Sequence, residues 1–546
     1  HFTDGAGSFA QGGEHTITSG TGRDYILSGS GSDRLTSGDG ADVILRDGQI
    51  LFHPGTSIPS MIQTAYQDDN DVLLSSGDSV IFSGGGDDIV FAGSGNDWVE
   101  GGTGGDLLVG DEGIVTFDPG HAAAGEAVVD FIESVFLTPD GQLIPGGSDV
   151  LLGQHDDDIV IGGSLDDMLD GGFGRDILVG NHVTLDGPAS WSQGSPWSDG
   201  VATNPRFRTP VGPEIYAADG DLLIDRENQY ADPNWGEAAP FWGDFAIIVH
   251  DGQTSRVDAE PLAQDELNRT YGDNYIAGGP QDDMIFGQRG ADTLQGDGSL
   301  FYDVWEAGRL FAGGFHLSQA VIDPTDLDNA PLALLAILEA SALNGTTSAV
   351  TPQSVEARGD GDDYIEGGQD DDLIFGNLGQ DDIIGGNSAL FGLGTQASRA
   401  DSSDLIFGGA GTNIGRNDLG DATLVNGQIL NDANAHSRDA DTIIGDNGNI
   451  YRLVDAAGPY LTFIYDQTPD EDGSRRGHLR VVVRATEWTG GTDGEDYTLG
   501  GPDFDPDGSL RNIGAADEIH GEAGDDTIYG LVGDDVIYGE GQDDDL

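Results

Sequence analysis

Cysteine is absent from the 546 residues, so no disulfide framework holds this chain, although the absence suits passage to an oxidising exterior. Lysine is absent too, and every basic side chain is an arginine. A phosphate-binding GxxxxGK[ST] loop is therefore excluded, and neither an HExxH zinc-protease helix nor a strict GxSxG nucleophile elbow occurs. Glycine-rich GxGxD segments are present, but no helix follows them as a dinucleotide site requires. The 11 histidines are scattered, and aspartates are so frequent that the proximity of two carboxylates says nothing about acid–base catalysis. No apolar run reaches the roughly 18 residues of a membrane-spanning helix, and no signal peptide is visible. The chain begins at His1 rather than methionine and stops at Leu546 midway through a repeat, so it reads as a segment of something longer.

Positive charge is scarce. Lys+Arg number 21 against 98 Asp+Glu, a formal charge of −77, which argues against nucleic acid or an anionic membrane surface and for a cationic partner. Aspartate outnumbers glutamate roughly four to one. A surface selected only for charge has no reason to avoid glutamate, so the excess points to ligand chemistry. The 89 glycines are about 16% of the chain against a usual ~7%, yet 37% hydrophobic residues in a regular pattern oppose simple disorder.

That pattern has a period of nine: an aspartate preceded by glycines and followed two positions later by an aliphatic residue. Asp24, Asp33 and Asp42 carry Ile26, Leu35 and Ile44; Asp88, Asp97 and Asp106 carry Val90, Val99 and Leu108. Asp149, Asp158, Asp167 and Asp176 carry Leu151, Val160, Leu169 and Leu178; Asn274, Asp283 and Asp292 carry Ile276, Ile285 and Leu294. Asp363, Asp372 and Asp381 carry Ile365, Ile374 and Ile383, and Asp517, Asp526, Asp535 and Asp544 carry Ile519, Ile528, Ile537 and Leu546. Asp404 and Asp441 belong to the same set of candidate metal ligands. The period fits neither helix nor flat strand; it fits a short strand, a glycine turn and another short strand, with the aliphatic residue inward. Gly and Asp also favour turns without metal, but turn chemistry alone does not impose a register of nine.

These residues resemble the GGxGxDxUx nonapeptide of the RTX (repeats-in-toxin) family. The resemblance implies an all-β fold, a parallel β-roll whose blocks bind several Ca²⁺ ions, with two nonapeptides per coil and aspartates eighteen apart sharing an ion. The pairs so implied are Asp24 with Asp42, Asp88 with Asp106, Asp149 with Asp167, Asp158 with Asp176, Asn274 with Asp292, Asp363 with Asp381, Asp517 with Asp535 and Asp526 with Asp544. Glycine-turn carbonyls complete each oxygen shell of six to eight. Asn274 lacks the charge its partners carry, which puts its site in doubt.

Insertions separate the blocks. Residues 1–52 read as the first block, 53–117 as an insertion with the second, 118–186 with the third, 187–303 as an aromatic insertion with the fourth, and 304–415 as a helical insertion with the fifth. Residues 416–512 hold degenerate repeats and a hairpin insertion, and 513–546 a truncated sixth block. A single decorated solenoid explains this more simply than separate domains, since three nonapeptides cannot bury a core alone. Apolar strands are expected at the block exits, Asp47–Phe52, Asp111–Phe117, Asp297–Phe301, Asn387–Phe391 and Asp446–Tyr451. Helices are expected at 328–343 and Glu126–Phe136, a strand at Phe245–His250, and a hairpin from 460–466 and 478–485. Asp503, Asp505, Asp507 and Gly508 open like an EF-hand loop, but Gly514 stands where its closing acid belongs, so an ordinary Asp-Gly turn competes with a calcium site closed by Asp517 or Glu518.

The expected function is a non-enzymatic, calcium-dependent extracellular structural segment, secreted through a type I system as the resemblance implies and serving as spacer, stalk, surface layer or filament. Two alternatives stand beside it: the calcium scaffold of a secreted enzyme, and an adhesin segment gripping cell-surface glycans through Trp191, Trp197, Trp235 and Trp242. Other copies of the chain are a further expected partner. Arg475, Arg476, Arg480 and Arg484 offer charge either to such a neighbour or to the chain's own aspartates.

Overall fold

The computed structural model describes residues 15–28, 33–39, 41–45, 48–54, 56, 59–64, 78–119, 128–138, 142–186, 204–208, 245–250, 270–298, 316–317, 350–351, 360–393, 399, 401–411, 422–425, 428–431, 439–453, 464–466, 479–481, 484–488, 514–522, 524, 526–540, 544 and 546. The glycine turn dictates the local geometry. Gly102 and Gly104 have φ of 113° and 110°, and a Cβ on Gly102 would strike the carbonyl oxygen of Gly84 in the coil below. The chain can therefore reverse within a few residues and stack coil on coil.

Successive strands alternate between two parallel sheets, one of 12 strands and one of 11. Trp98–Thr103 lies in the first, Leu107–Val109 in the second, Val150–His155 in the first again and Ile159–Ile161 in the second. One aliphatic residue from each strand enters the gap between the sheets. Ile26, Leu108, Leu169, Ile285 and Ile383 belong to this column, as do all the other aliphatic residues expected to point inward except the last two. Ile537 is only partly buried, and Leu546 is exposed. Both sheets run through every block, so the insertions leave one continuous β-roll.

In the first half of the 11-stranded sheet the strands are apolar on both faces, as in Ile159–Ile161 and Ile177–Val179. Their outer face is covered by a six-stranded antiparallel sheet built from insertion strands: Gly48–Phe52, Pro59–Thr64, Gly113–Phe117, Val129–Ser134, Val183–Asp186 and Ala246–Val249. Ile62, Val115, Ile132, Leu185 and Ile247 pack there against Phe91, Val109, Ile161 and Val179. The insertion containing Asn204–Arg208 also reaches far along the roll. Buried Arg206 pairs with Asp382, its guanidinium 4.3 Å from the centre of the Tyr364 ring, and buried Arg452 meets Asp362 at 2.5 Å.

The structure corrects two local expectations. Glu126–Phe136 is not a helix: Val129–Ser134 is a strand, because its apolar residues complete the covering sheet between Gly113–Phe117 and Val183–Asp186. Asn387–Phe391 bends instead of forming a strand, with buried Phe391 giving its carbonyl to the Val249 N–H at 2.9 Å. Exit strands do form at Gly48–Phe52, Gly113–Phe117 and Gly448–Leu453, and Phe245–His250 supplies the strand Ala246–Val249. The hairpin pairs Ile464–Asp466 with Leu479–Val481, while Arg484–Trp488 turns away to pair with Gly448–Leu453. The helix expected at 328–343, the tail of the Asp297–Phe301 exit, the four tryptophans, the EF-hand-like aspartates and the side chains of the arginine patch lie outside the described residues.

Truncating the central column should be costly. Leu169→Ala is expected to lower stability in saturating calcium by about 2–5 kcal/mol, the usual cost of such a cavity, read from the shift of the urea midpoint. A shift below about 0.5 kcal/mol would contradict the close packing of the column.

Candidate metal centre

Each repeat aspartate stands at the exit of a glycine turn, just before its strand, and is therefore presented at the same edge in every coil. Along the 11-stranded sheet, Asp42, Asp88, Asp106, Asp158, Asp176, Asp283, Asp363, Asp381, Asp441, Asp526 and Asp544 each accept through Oδ1 the backbone N–H of the preceding coil's aspartate, beginning with Asp24, at 2.6–3.2 Å. Along the 12-stranded sheet the acceptors are Asp33, Ser79, Asp97, Asp149, Asp167, Asn274, Asp292, Asp372, Asp404, Asp517 and Asp535, beginning from His15, at 2.5–3.3 Å.

All eight pairs expected at a separation of eighteen are neighbours in these ladders. So are residues 32 to 113 apart in sequence, such as Asp372 with Asp404 and Asp404 with Asp517. Asp33, Asp97, Asp283, Asp372, Asp404 and Asp441, which the eighteen-residue pairs left out, find neighbours across insertions or beside Ser79.

The second carboxylate oxygen tests whether a cation fits. Oδ2 is buried and without a hydrogen-bond partner in Asp33, Asp42, Asp88, Asp106, Asp149, Asp158, Asp167, Asp176, Asp283, Asp292, Asp363, Asp372, Asp381, Asp404 and Asp517. It faces the glycine turn: a Cβ on Gly153 would collide with Asp158 Oδ2 and the Gly171 carbonyl oxygen, and one on Gly376 with Asp381 Oδ2 and the Gly408 carbonyl oxygen. Among the described residues no three His, Asp or Glu side chains are grouped to hold a metal by themselves, so backbone carbonyls must supply part of any shell. Carboxylate oxygens beside carbonyl oxygens form a hard donor set suited to Ca²⁺.

Burial without a counter-ion makes the negative charge costly. Desolvation, opposed by the ladder hydrogen bond and reinforced by neighbouring aspartates, raises Asp88 to about 7 and Asp517 to about 8 from 3.8. Burial likewise holds Asp149, Asp158, Asp176, Asp283, Asp363 and Asp381 well above the usual carboxylate range. A calcium ion held there would supply the positive charge that lets such carboxylates ionise in place.

Asn274 keeps the bridging bond through Oδ1 but donates Nδ2 to the Gly272 carbonyl at 3.2 Å. An amide nitrogen has no lone pair to offer a cation, so this position supports the ladder without a carboxylate's second oxygen.

Ser79 escaped sequence reading because it is not acidic; its signal was the frame itself, nine residues before Asp88 with Ile81 two positions on. Exit residues were also missed as polar anchors. Asp111, Asn181, Asp297 and Asp446 stand where an insertion leaves the roll and accept the N–H of Gly147, Gly272, Gly361 and Ala515, where the chain returns, at 3.0–3.2 Å. They close excursions of 36, 91, 64 and 69 residues. The recurring Gly-Asp or Gly-Asn step at each exit is their sequence signal.

Comparison with known families agrees with this geometry. The family described as RTX calcium-binding nonapeptide repeat (4 copies) matches residues 12–44, 66–99, 82–117, 146–178, 270–298, 358–389 and 514–546. No curated protein matches the chain. The matched stretches, with their stacked aspartate edges, are RTX calcium-binding nonapeptide repeats.

Proposed function

We propose that the chain is a non-enzymatic extracellular structural segment, exported without its fold and made rigid by calcium outside the cell. One observation carries this reading: two aspartate ladders run from block to block across the insertions, so ion occupancy acts on a whole rod instead of on separate modules. The buried Oδ2 atoms are the proposed calcium ligands, joined by glycine-turn carbonyls. Extracellular calcium modules have Kd values on the order of 10⁻⁴ to 10⁻³ M, too weak to fill in a cytosol, so the same sites would leave the chain unfolded before export.

The non-enzymatic reading has local support. Ser164 Oγ lies 3.3 Å from His182 Nε2, but both residues are buried, and Asp111 accepts the Ser164 backbone N–H. Burial drives the His182 imidazole down to about 3, which favours a neutral packing group stacked on Phe136.

Small-angle scattering tests the spacer. Twelve strands at about 4.8 Å spacing give a roll about 50 Å long, which is expected to scatter as a rigid folded body in millimolar calcium and as an expanded chain in chelator. Identical scattering in the two conditions would sink the reading.

A further inference from the structure

The exit aspartates are not equivalent. Asp111 uses both carboxylate oxygens, accepting from Gly147 N–H and Ser164 N–H, and Asp446 uses both on Ala515 N–H and Val532 N–H. Asp297 accepts from Gly361 N–H through Oδ1 at 3.0 Å, while its Oδ2 is buried and has no partner. The residue has no exposed surface. A link closing the excursion needs only the first oxygen.

Asp297 directly follows Gly296, and a Cβ on Gly296 would collide with Asp363 Oδ2 and the Gly376 carbonyl oxygen. The turn thus carries Asp297 to the edge where Asp363 presents its own unpartnered oxygen. Asp360, Asp363, Asp381 and Asp283 all repel the Asp297 charge. A neutral asparagine would make the same link to Gly361 without that repulsion, as Asn181 does with Gly272.

We propose that Asp297 is an additional calcium ligand, sharing an ion with Asp363 and the Gly376 carbonyl at the junction where the excursion closes. The site lies outside the nonapeptide frame, since the position of Asp297 is held by glycine in an uninterrupted repeat such as Gly102. This inference rests on the calcium reading above. It makes closure of the excursion between Asp297 and Gly361 depend on calcium directly.

Asp297→Asn separates ligation from linking, because Asn keeps the Oδ1 acceptor for Gly361 and replaces Oδ2 with a nitrogen. Asp186→Asn, at an exposed residue of the covering sheet, controls for net charge. Calcium titrations of the full chain, followed by circular dichroism and by equilibrium dialysis, are expected to show that Asp297→Asn raises the folding midpoint about tenfold and lowers the bound ions by one. Asp186→Asn is expected to change neither. An unchanged or lower midpoint with an unchanged ion count would overturn the proposal and leave Asp297 as a link only. Failure to fold even at saturating calcium would also overturn it, since losing one ligand leaves both ladders and the Gly361 bond in place. Asp297→Ser, which keeps a hydroxyl acceptor, is expected to match Asn; a Ser variant with the full ion count counts against ligation. A wild-type chain that bound no calcium would instead sink the reading on which this inference rests.

Discussion

Removing calcium with excess chelator at neutral pH is expected to abolish the roll, with loss of the β-sheet circular dichroism signal and an expanded hydrodynamic radius. At a Kd near 10⁻³ M and 10 mM calcium, each independent site adds about 1.4 kcal/mol to folding, and at 10⁻⁴ M about 2.7 kcal/mol. A handful of such sites matches the 5–15 kcal/mol that typically stabilises a whole domain. Screening by NaCl weakens repulsion but supplies no ligand to the buried Oδ2 atoms, so salt is not expected to restore the signal. A full β signal after exhaustive chelation, or its recovery in salt alone, would refute ligation as the source of stability.

Acid should do part of what calcium does. In the calcium-free roll, burial raises Asp88 to about 7 and Asp517 to about 8, whereas an unfolded aspartate titrates near 3.8. The folded state therefore binds more protons than the unfolded state between those values. The resulting stability is full below about 3.8 and is lost as pH rises through about 7 to 8. In chelator, lowering the pH from about 8 to about 4 is expected to restore much of the β signal. In limiting calcium the ion-loaded form should respond oppositely, because protons compete for the same oxygens. Since the chain's pI is near 4.1, the measurement belongs at low protein concentration. No gain of β signal on acidification would mean that uncompensated charge on these aspartates does not limit the apo fold.

The repeat itself was legible because its chemistry is local. Aspartate, glycine turn and aliphatic residue all lie within nine residues, and Leu108, Leu169 and Ile285 occupy the interior that this spacing dictates. What joins one block to the next was less legible, because Asp176 with Asp283 and Asp404 with Asp517 meet only after 107 and 113 residues of chain. The covering sheet left a subtler trace. Strands such as Leu107–Val109 are aliphatic at both outward positions, whereas Trp98–Thr103 carries Glu100 on its outward face; only the first kind needs a second layer. Glu126–Phe136 looked helical because its apolar residues were read by local spacing, whereas its antiparallel neighbours decided the outcome.

The exit links have a consequence for how the molecule can vary. Asp111 with Gly147 and Asn181 with Gly272 bring the two ends of an excursion together whether it spans 36 or 91 residues. Closing a flexible loop costs only about 0.6 kcal/mol more for each doubling of its length. Each junction therefore behaves as a socket, indifferent to the size of the insert it receives. Foreign sequence added to the loop of such an excursion, outside the strands that cover the roll, should leave the support intact while changing what is displayed along its flank, so surface novelty and scaffold strength can vary independently.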